Sequence, residues 1–365
     1  MANLGAHQRA SRVIPGKIWG DGSSGNATIS AHPTVATATG SSGSPNVTAG
    51  SSSFSNGDLV LIHQTRGAGA GQWEINKVLS GGGSTSLVML ANLNYAYVSG
   101  AQIIKLVQYD ALTLGAFSIS AWNGSVGGVV AFIAKTSITV SGAVNGNGAG
   151  YRGGRGGDSF HEYGEGTTGG ATTAANGSAN GSGGGTGHAI GYGGGAGGGN
   201  ANAGTNSSGA SGGGATGGSA AGSADLVLIV PGGGGGGGGP SGTGGHGSNG
   251  GGIIILISKN ITLSSGVTVD GVKGVDGQRG GGGGAGGSIL LVCSTGSFGT
   301  ANATALLGAR GVGTQDYQGE AGSVGRIAIH HSGSVTGTTN PTFTEVIDSS
   351  LVEAGGSGLL TMFVG

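Results

Sequence analysis

The chain has 365 residues, of which 93 are glycine; 8% of residues are charged and the formal net charge is −1. Without a cluster of Lys and Arg the chain lacks the positive surface that DNA and RNA require, so nucleic acid is excluded as an expected partner. The single cysteine, Cys293, rules out a disulfide within the chain, and its apolar neighbours predict a buried, inert thiol.

Residues 1–125 have the composition of an ordinary β domain. Short segments rich in apolar and β-branched residues alternate there with Gly, Ser and Asn turns, at 58–63, 73–78, 86–90 and 102–107. Such segments predict antiparallel strands. We therefore expect an N-terminal β-sandwich or barrel-like domain that serves for attachment.

Residues 126–332 hold most of the glycines and form the second predicted domain. Short strings of Val, Ile and Leu interrupt the glycines, at 129–133, 226–230, 253–257, 289–292 and 327–329. Disordered Gly/Ser linkers rarely contain such strand signals, and helical periodicity is almost missing. The composition therefore predicts an ordered, all-β, Gly-rich domain.

An internal repeat supports this prediction. Residues 128–148 and 252–271 both give an apolar strand, a Lys, an Ile-Thr strand, a Ser-Gly turn and a further short strand. A looser copy follows at 288–311, and 324–330 repeats the first strand alone. Units that cannot bury themselves stack on their neighbours, which predicts a β-solenoid.

The glycine runs 232–239 and 280–284 need a conformation of their own. Polyglycine can adopt the extended three-residue-per-turn helix of polyproline II, and without Cβ atoms such helices can pack side by side and pair their N–H and C=O groups. The Gly-rich domain is therefore expected to be a β-solenoid, a set of packed polyglycine-II strands, or both.

Residues 151–165 concentrate aromatic and charged side chains against a background of Gly and Ser. One interpretation is a loop tip that presents rings and hydrogen-bonding groups to a receptor, and the other is a loop that caps the Gly bundle. Further residues in similar Gly-flanked positions could sit at neighbouring tips: His188, Tyr192, His246, Asp316, Tyr317, Gln318 and Glu320. The candidate receptor-binding residues are therefore Tyr151, Arg152, Arg155, Phe160, His161, Tyr163, Tyr192, Asp316 and Tyr317.

Catalytic, metal and cofactor sites are not expected. The Gly-x-Gly-x-x-Gly patterns do not link a strand to a helix, and the single calcium-type nonapeptide at 153–160 would leave an ion half coordinated. A glycosidase needs two carboxylates at a set separation, and nothing in the sequence pairs the acids. The acids considered are Asp158, Glu162, Asp270, Asp276 and Glu320.

Residues 333–365 form a third predicted segment, a short C-terminal β tail. At the other end, residues 1–17 carry three cations and no apolar stretch of signal-peptide length. We therefore expect synthesis in a cytoplasm without a cleaved leader, and no membrane insertion.

The Gly-run modules bounded by apolar strings, as in the Asp-Leu-Val-Leu-Ile-Val-Pro-Gly-Gly-Gly of 225–234, resemble the glycine-rich distal tail-fibre adhesins of T-even-type phages. The resemblance covers about half of the chain. Segments 18–30 and 57–66 are similar to the opening of Gly-rich phage and bacterial surface proteins. The resemblance implies packed polyglycine strands whose loops recognise outer-membrane receptors.

These observations predict a virion surface protein, made in the host cytoplasm, that binds a host glycan or outer-membrane protein without catalysis. Its expected partners are that receptor, other virion proteins and copies of itself, with a trimer as the usual symmetry of fibres. Two alternatives stay open: a β-helix tailspike that degrades polysaccharide, and a purely structural capsid or tail decoration protein.

Overall fold

The computed structural model describes residues 12–14, 19–157, 160–169, 193–207, 215–239, 243–314, 317–351 and 360–362. Their regular structure is β throughout, apart from one 3-10 turn at Ser349–Leu351, which confirms the all-β prediction. The first strands are β1 (Arg12–Ile14), β2 (Ala27–Ile29), β3 (Val35–Gly40), β4 (Asn46–Ala49), β5 (Leu59–Gln64), β6 (Trp73–Ser80), β7 (Ser86–Met89), β8 (Tyr97–Leu106), β9 (Gln108–Leu114) and β10 (Phe117–Ser118). The others are β11 (Val129–Val140), β12 (Val144–Asn145), β13 (Gly156–Gly157), β14 (Phe160–His161), β15 (Ile253–Leu263), β16 (Val267–Thr268), β17 (Ser288–Thr304), β18 (Arg326–His331), β19 (Val335–Asn340), β20 (Thr344–Ile347) and β21 (Leu360–Met362).

A closed six-stranded barrel lies near the start of the chain, in the order β3-β4-β7-β6-β5-β8. All its strand pairs are antiparallel, and the four predicted segments become β5, β6, β7 and β8. Along β5, Val60 and Ile62 belong to the core inside the barrel, whereas Leu59 and Leu61 belong to a second core outside it. Because consecutive side chains of a strand point to opposite faces, β5 is buried on both sides.

The second core lies between the barrel and a parallel sheet in which β2, β9, β11, β15, β17, β18 and β20 are successive neighbours. Alternate residues of these strands face the barrel, such as Val129, Ile253 and Ile255, or the opposite core, such as Val130 and Ile254. Parallel strands covered on both faces need apolar residues at every position, which accounts for the unbroken Val/Ile/Leu strings of the sequence.

The two clearest sequence repeats lie side by side in this sheet. Strand β11 pairs with β15 in parallel, with Val129 opposite Ile253 and Val140 opposite Leu263. β17 and β18, from the looser copies, continue the sheet in the same direction. Strands β2 and β9 come from the segment 1–125, and β19 and β20 come from the segment 333–365. All three predicted segments therefore contribute to one sheet.

The Gly-rich segments between these strands are bonded backbone to backbone. Gly235, Gly236 and Gly237 donate their N–H groups to three different neighbours, the carbonyls of Ser248 (2.9 Å), Ala196 (2.8 Å) and Glu162 (3.0 Å). A Cβ built on Gly235 would lie less than 3.0 Å from the carbonyls of Gly282 and Gly283, closer than real Cβ atoms come to backbone. We call this arrangement the Gly bundle; it comprises the described parts of 150–166, 193–207, 215–222, 231–251, 271–287 and 305–325.

Candidate functional site

In the chemically dense stretch 151–165, the described arms 151–157 and 160–165 run side by side within the Gly bundle, with Glu162 N donating to Arg155 O (2.8 Å). On the outward path, Tyr151 N donates to Gly232 O (3.1 Å) and Gly154 N donates to Gly235 O (2.9 Å). Strands β13 and β14 then pair Gly156 with His161 and Gly157 with Phe160. The candidate residues are therefore divided between two ends of the bundle.

At the end nearer the barrel, the rings of Tyr151 and Tyr163 are buried, with exposures of 0% and 3%. The Tyr151 hydroxyl donates to the carbonyl of Thr65, directly after β5. Burial, followed by the neighbouring Glu165 carboxylate, raises the pKa of Tyr151 far above its ordinary value. The expectation that these two rings are displayed at a loop tip is wrong, because both rings are buried, and Tyr151 fills the junction between the Gly bundle and the barrel.

The buried Glu165 carboxylate holds this junction together. It accepts hydrogen bonds from Arg152 Nε (2.9 Å) and Trp122 Nε1 (3.0 Å), and Arg66 forms a further ion pair with it. The Arg66 guanidinium also lies 5.7 Å from the centre of the Trp122 ring. Two arginines and an indole satisfy the carboxylate, which would otherwise be costly to bury. We call these four residues the clamp.

A second buried polar link lies beside the clamp. His63 Nε2 donates to the carbonyl of Ile229 (2.8 Å), which fixes the neutral tautomer, and Nδ1 lies 2.8 Å from Thr65 Oγ1. Burial lowers the pKa of His63 to about 4. The barrel is thus joined to the bundle through neutral as well as charged hydrogen bonds.

The opposite end of the bundle, which we call the tip, gathers turns from several parts of the chain. Gly238 N donates to Gly245 O (2.9 Å), Gly245 N donates to Arg279 O (2.6 Å), and Gly280 N donates to Tyr317 O (2.9 Å). These bonds, with that from Gly156 N to His246 Nδ1, bring four sets of described residues to the same end: 155–157, 238–239 with 243–246, 278–280, and 313–314 with 317–318. Arg155 and Tyr317, two of the predicted site residues, therefore share one region.

The described side chains of the tip are polar or aromatic. Arg155 and His246 are exposed, and Tyr317 is partly buried. His246 Nδ1 accepts a hydrogen bond from Gly156 N (3.0 Å), so the proton of the neutral ring is on Nε2. The buried Arg279 guanidinium lies 5.7 Å from the centre of the Tyr317 ring, a cation–π contact that orients the ring.

Four other predicted site residues remain, of which two lie in a described strand. The backbones of Phe160 and His161 form β14 near the tip, and Tyr192 and Asp316 lie outside the described residues. Sequence reasoning missed Arg66 and Trp122 in the clamp and Arg279 at the tip. His246 was considered for a neighbouring tip because of its Gly-flanked position, and the structure places it there.

Three of the five acids considered for glycoside hydrolysis are bonded to backbone, and Asp158 lies outside the described residues. Asp270 accepts from Leu306 N (2.7 Å), Asp276 accepts from Val312 N (2.7 Å), and Glu162 accepts from Arg155 N (3.3 Å). Asp276 also forms an ion pair with Lys273 at 2.7 Å. Within the described ranges, no group of three or more His, Cys, Asp and Glu residues is placed to bind a metal ion.

Comparison with protein-family models, with curated proteins and with solved structures gives no match for this chain. In the part of the chain that the structure describes, no helix has the length and apolar character needed to cross a membrane. The geometry of the clamp and the tip is therefore the basis for the functional proposal.

Proposed function

We propose that this chain is a virion surface protein, a receptor-binding adhesin of the tail-fibre type that recognises a host glycan or outer-membrane protein. The observation that carries the proposal is the separation of the two ends of the Gly bundle. One end is locked to the barrel by the buried clamp, and the other carries exposed Arg155 and His246. A body that is anchored at one end and carries exposed polar side chains at the other is suited to presenting those side chains to a receptor.

We further propose that the Gly bundle consists of packed polyglycine-II strands beside the stacked parallel strands of a short β-solenoid. Donation from Gly235, Gly236 and Gly237 to three different neighbours supports this, because a helix with three residues per turn directs successive N–H groups to three sides. At about 3.1 Å per residue, the path from Tyr151 to Gly157 places the tip about 20 Å from the clamp.

At the tip, the proposed contact residues are Arg155, His246 and Tyr317. The Tyr317 ring offers a planar surface, and Arg155 and His246 offer hydrogen-bond donors, which suits hydroxyl and carbonyl groups of glycans or protein loops. Phe160, His161, Tyr192 and Asp316 stay candidates from the sequence. Tyr151 and Arg152 are assigned instead to the junction with the barrel, and Tyr163 is buried.

The barrel and the parallel sheet would attach the protein to other virion proteins or to copies of itself, a trimer being the arrangement to test. Synthesis in the host cytoplasm and location on the virion surface follow from the adhesin proposal. The proposal includes no catalytic step, no cofactor and no nucleic-acid partner.

The experiment is binding of the purified protein to intact cells of candidate hosts, with assay of the supernatant for released sugar. Wild type is compared with the triple variant Arg155→Ala, His246→Ala, Tyr317→Ala. The matched control changes exposed residues of the barrel and sheet, Thr85→Ala and Lys259→Ala. Thermal unfolding establishes that all three proteins are folded.

Saturable binding that weakens at least tenfold in the tip variant and not in the control, without sugar release, supports the proposal. Release of reducing ends would replace it with the polysaccharide-degrading tailspike. Failure of folded wild type to bind any host would favour a structural capsid or tail part.

A further inference from the structure

The parallel sheet carries a row of hydroxyl side chains across six neighbouring strands. In spatial order, β2, β9, β11, β15, β17 and β19 each place one such residue at the same register position. The row consists of Thr28, Thr113, Thr139, Thr262, Ser297 and Thr336, and all six are exposed or half-buried. We call these six residues the Thr row.

Alternation along the strands turns the row away from the core. Ile138 and Val140 flank Thr139 on β11, Ile261 precedes Thr262 on β15, and these apolar residues belong to a buried core. Because successive side chains of a strand point to opposite faces, the two threonines point away from that core. Thr262 is exposed, so neither the barrel nor the Gly bundle covers it.

The row has a regular spacing. Neighbouring strands lie about 4.8 Å apart, so five intervals give a row about 24 Å long. Threonine is branched at Cβ and has few χ1 rotamers, so strands in register place its hydroxyl and methyl groups at equal intervals. Among the described residues, only the Thr336 hydroxyl of the row has a partner, Gly296 O at 3.4 Å. The other hydroxyls can bond to a ligand outside the chain.

The internal repeat does not account for the row. Thr139 and Thr262 are equivalent positions of the two clearest copies. Thr28 and Thr113, however, come from the segment 1–125, and Thr336 comes from 333–365, and neither segment contains the repeat. Val, Ile and Tyr favour strands as Thr does, so strand propensity does not require a hydroxyl at every position. The shared chemistry therefore points to a common ligand.

The surroundings of the row narrow the chemistry of that ligand. Two residues before the row, the register positions are uncharged and without aromatic rings: Ala111, Ser137, Asn260 and Thr295. Thr295 Oγ1 donates to Asn260 Oδ1 (2.6 Å), a side-chain ladder of the kind that accompanies flat sheets. A neutral face without rings complements an uncharged lattice of hydrogen-bonding groups better than an ion or the apolar face of a sugar.

We propose that the Thr row binds the surface of an ice crystal. A hydroxyl both donates and accepts a hydrogen bond, as a water molecule in ice does. The spacing between strands is close to the repeat of oxygen atoms along one axis of the ice lattice, so successive hydroxyls can bond to successive lattice positions. The proposal does not depend on the adhesin proposal, because the row lies on the parallel sheet and the tip lies on the Gly bundle.

The test is ice growth in solutions of the full chain, measured as thermal hysteresis and crystal shape in a nanolitre osmometer. Wild type should facet the crystals and give a hysteresis that rises with concentration. Thr262→Lys should lower the hysteresis about tenfold at equal concentration, because the longer, charged side chain holds ice away from the neighbouring hydroxyls. Ser297→Lys is an independent variant at another exposed position of the row, and Thr85→Lys, exposed on the barrel, is the matched control that should leave the hysteresis unchanged. Circular dichroism establishes which proteins are folded.

The proposal is overturned if folded wild type gives neither hysteresis nor faceting, or if a folded row variant is as active as wild type. Two further measurements identify another occupant. Co-sedimentation with crystalline cellulose or chitin that is lost in Thr262→Lys, without an effect on ice, would replace ice with a polysaccharide surface. Wild type that sediments as an oligomer while Thr262→Lys sediments as a monomer, again without an effect on ice, would replace ice with a second copy of the chain.

Discussion

Substitution of Gly235 by alanine adds one methyl group to the most tightly packed part of the Gly bundle. The new Cβ would lie 2.8 Å from the oxygen of Gly283 and nearer still to the carbonyl of Gly282, both of them backbone atoms. Side chains can rotate away from such an overlap, but here two segments must separate by about 1 Å. Neighbouring hydrogen bonds, such as Gly235 N to Ser248 O, would lengthen with them.

The cost can be worked from these contacts. Forcing an extra methyl group into a close-packed interior costs about 1–3 kcal/mol, and each of about two weakened hydrogen bonds adds about 0.5–1.5 kcal/mol. Alanine also reduces the conformational entropy of the unfolded chain, which offsets about 0.4–1 kcal/mol of this loss in stability. We expect Gly235→Ala to lower the free energy of unfolding by about 1–6 kcal/mol, a large share of the 5–15 kcal/mol typical of a domain.

Gly266→Ala is the matched control. Its Cβ would meet only the Thr268 methyl group at 3.6 Å, an ordinary contact, and its φ is not in the left-handed region. Urea unfolding of both variants, followed by circular dichroism, measures the difference. If both unfold within about 0.5 kcal/mol of wild type, the Gly bundle is not close-packed and the reasoning fails; that threshold is the usual effect of a surface substitution.

Three further predictions concern buried groups. Burial lowers the pKa of His63 from 6.5 to about 4, so on acidification the unfolded chain takes up the proton before the folded chain does. The free energy of unfolding is therefore highest above pH 6.5 and falls by about 3 kcal/mol as the pH drops toward 4. Urea titrations at pH 7 and pH 4.5 should show a smaller loss of stability in His63→Gln than in wild type. Glu165→Gln leaves Arg66 and Arg152 without their carboxylate and should cost about 2–3 kcal/mol, below the usual range for a buried pair because both arginines are partly exposed. Lys273→Ala, at the exposed pair with Asp276, should shift the urea midpoint far less; equal midpoints for the two variants would contradict this. Burial raises the pKa of Cys293 to about 12. The thiol of the native protein should therefore resist alkylation at pH 8 and react once urea unfolds the chain. Fast labelling of the native protein would instead show that β17 opens.

The barrel strands could be predicted from sequence because their signals are local. Alternating and β-branched residues between turns located β5 to β8 within a few residues, although β8 begins at Tyr97, five residues before the predicted segment at 102. The placement of β9 and β2 in the parallel sheet could not be predicted. β9 pairs with β11, which belongs to the Gly-rich segment, and β2 pairs with β9 from a distant position in the chain. Residues 108–114 carry no sign of either pairing.

The sequence located the stretch that contains the candidate site but did not indicate which of its residues are exposed. Composition located the stretch 151–165, but a Gly-rich chain has no side-chain periodicity to indicate where it turns back. Arg155 and Tyr151 therefore looked equivalent, although one is exposed at the tip and the other is buried at the junction. The clamp depends on contacts between distant positions, since Arg66 and Glu165 are 99 residues apart, and no pattern connects them.

The near absence of side chains inside the Gly bundle has a thermodynamic consequence. Unfolding of an ordinary core exposes apolar surface and raises the heat capacity, whereas exposure of peptide groups lowers it. In the bundle, the buried groups are mainly peptide N–H and C=O groups of glycines such as Gly232 to Gly238. Its heat-capacity change per residue should fall below the usual 12–15 cal/mol/K, to about half or less. Its stability would then vary less with temperature than that of the barrel, and cooling would weaken the barrel first.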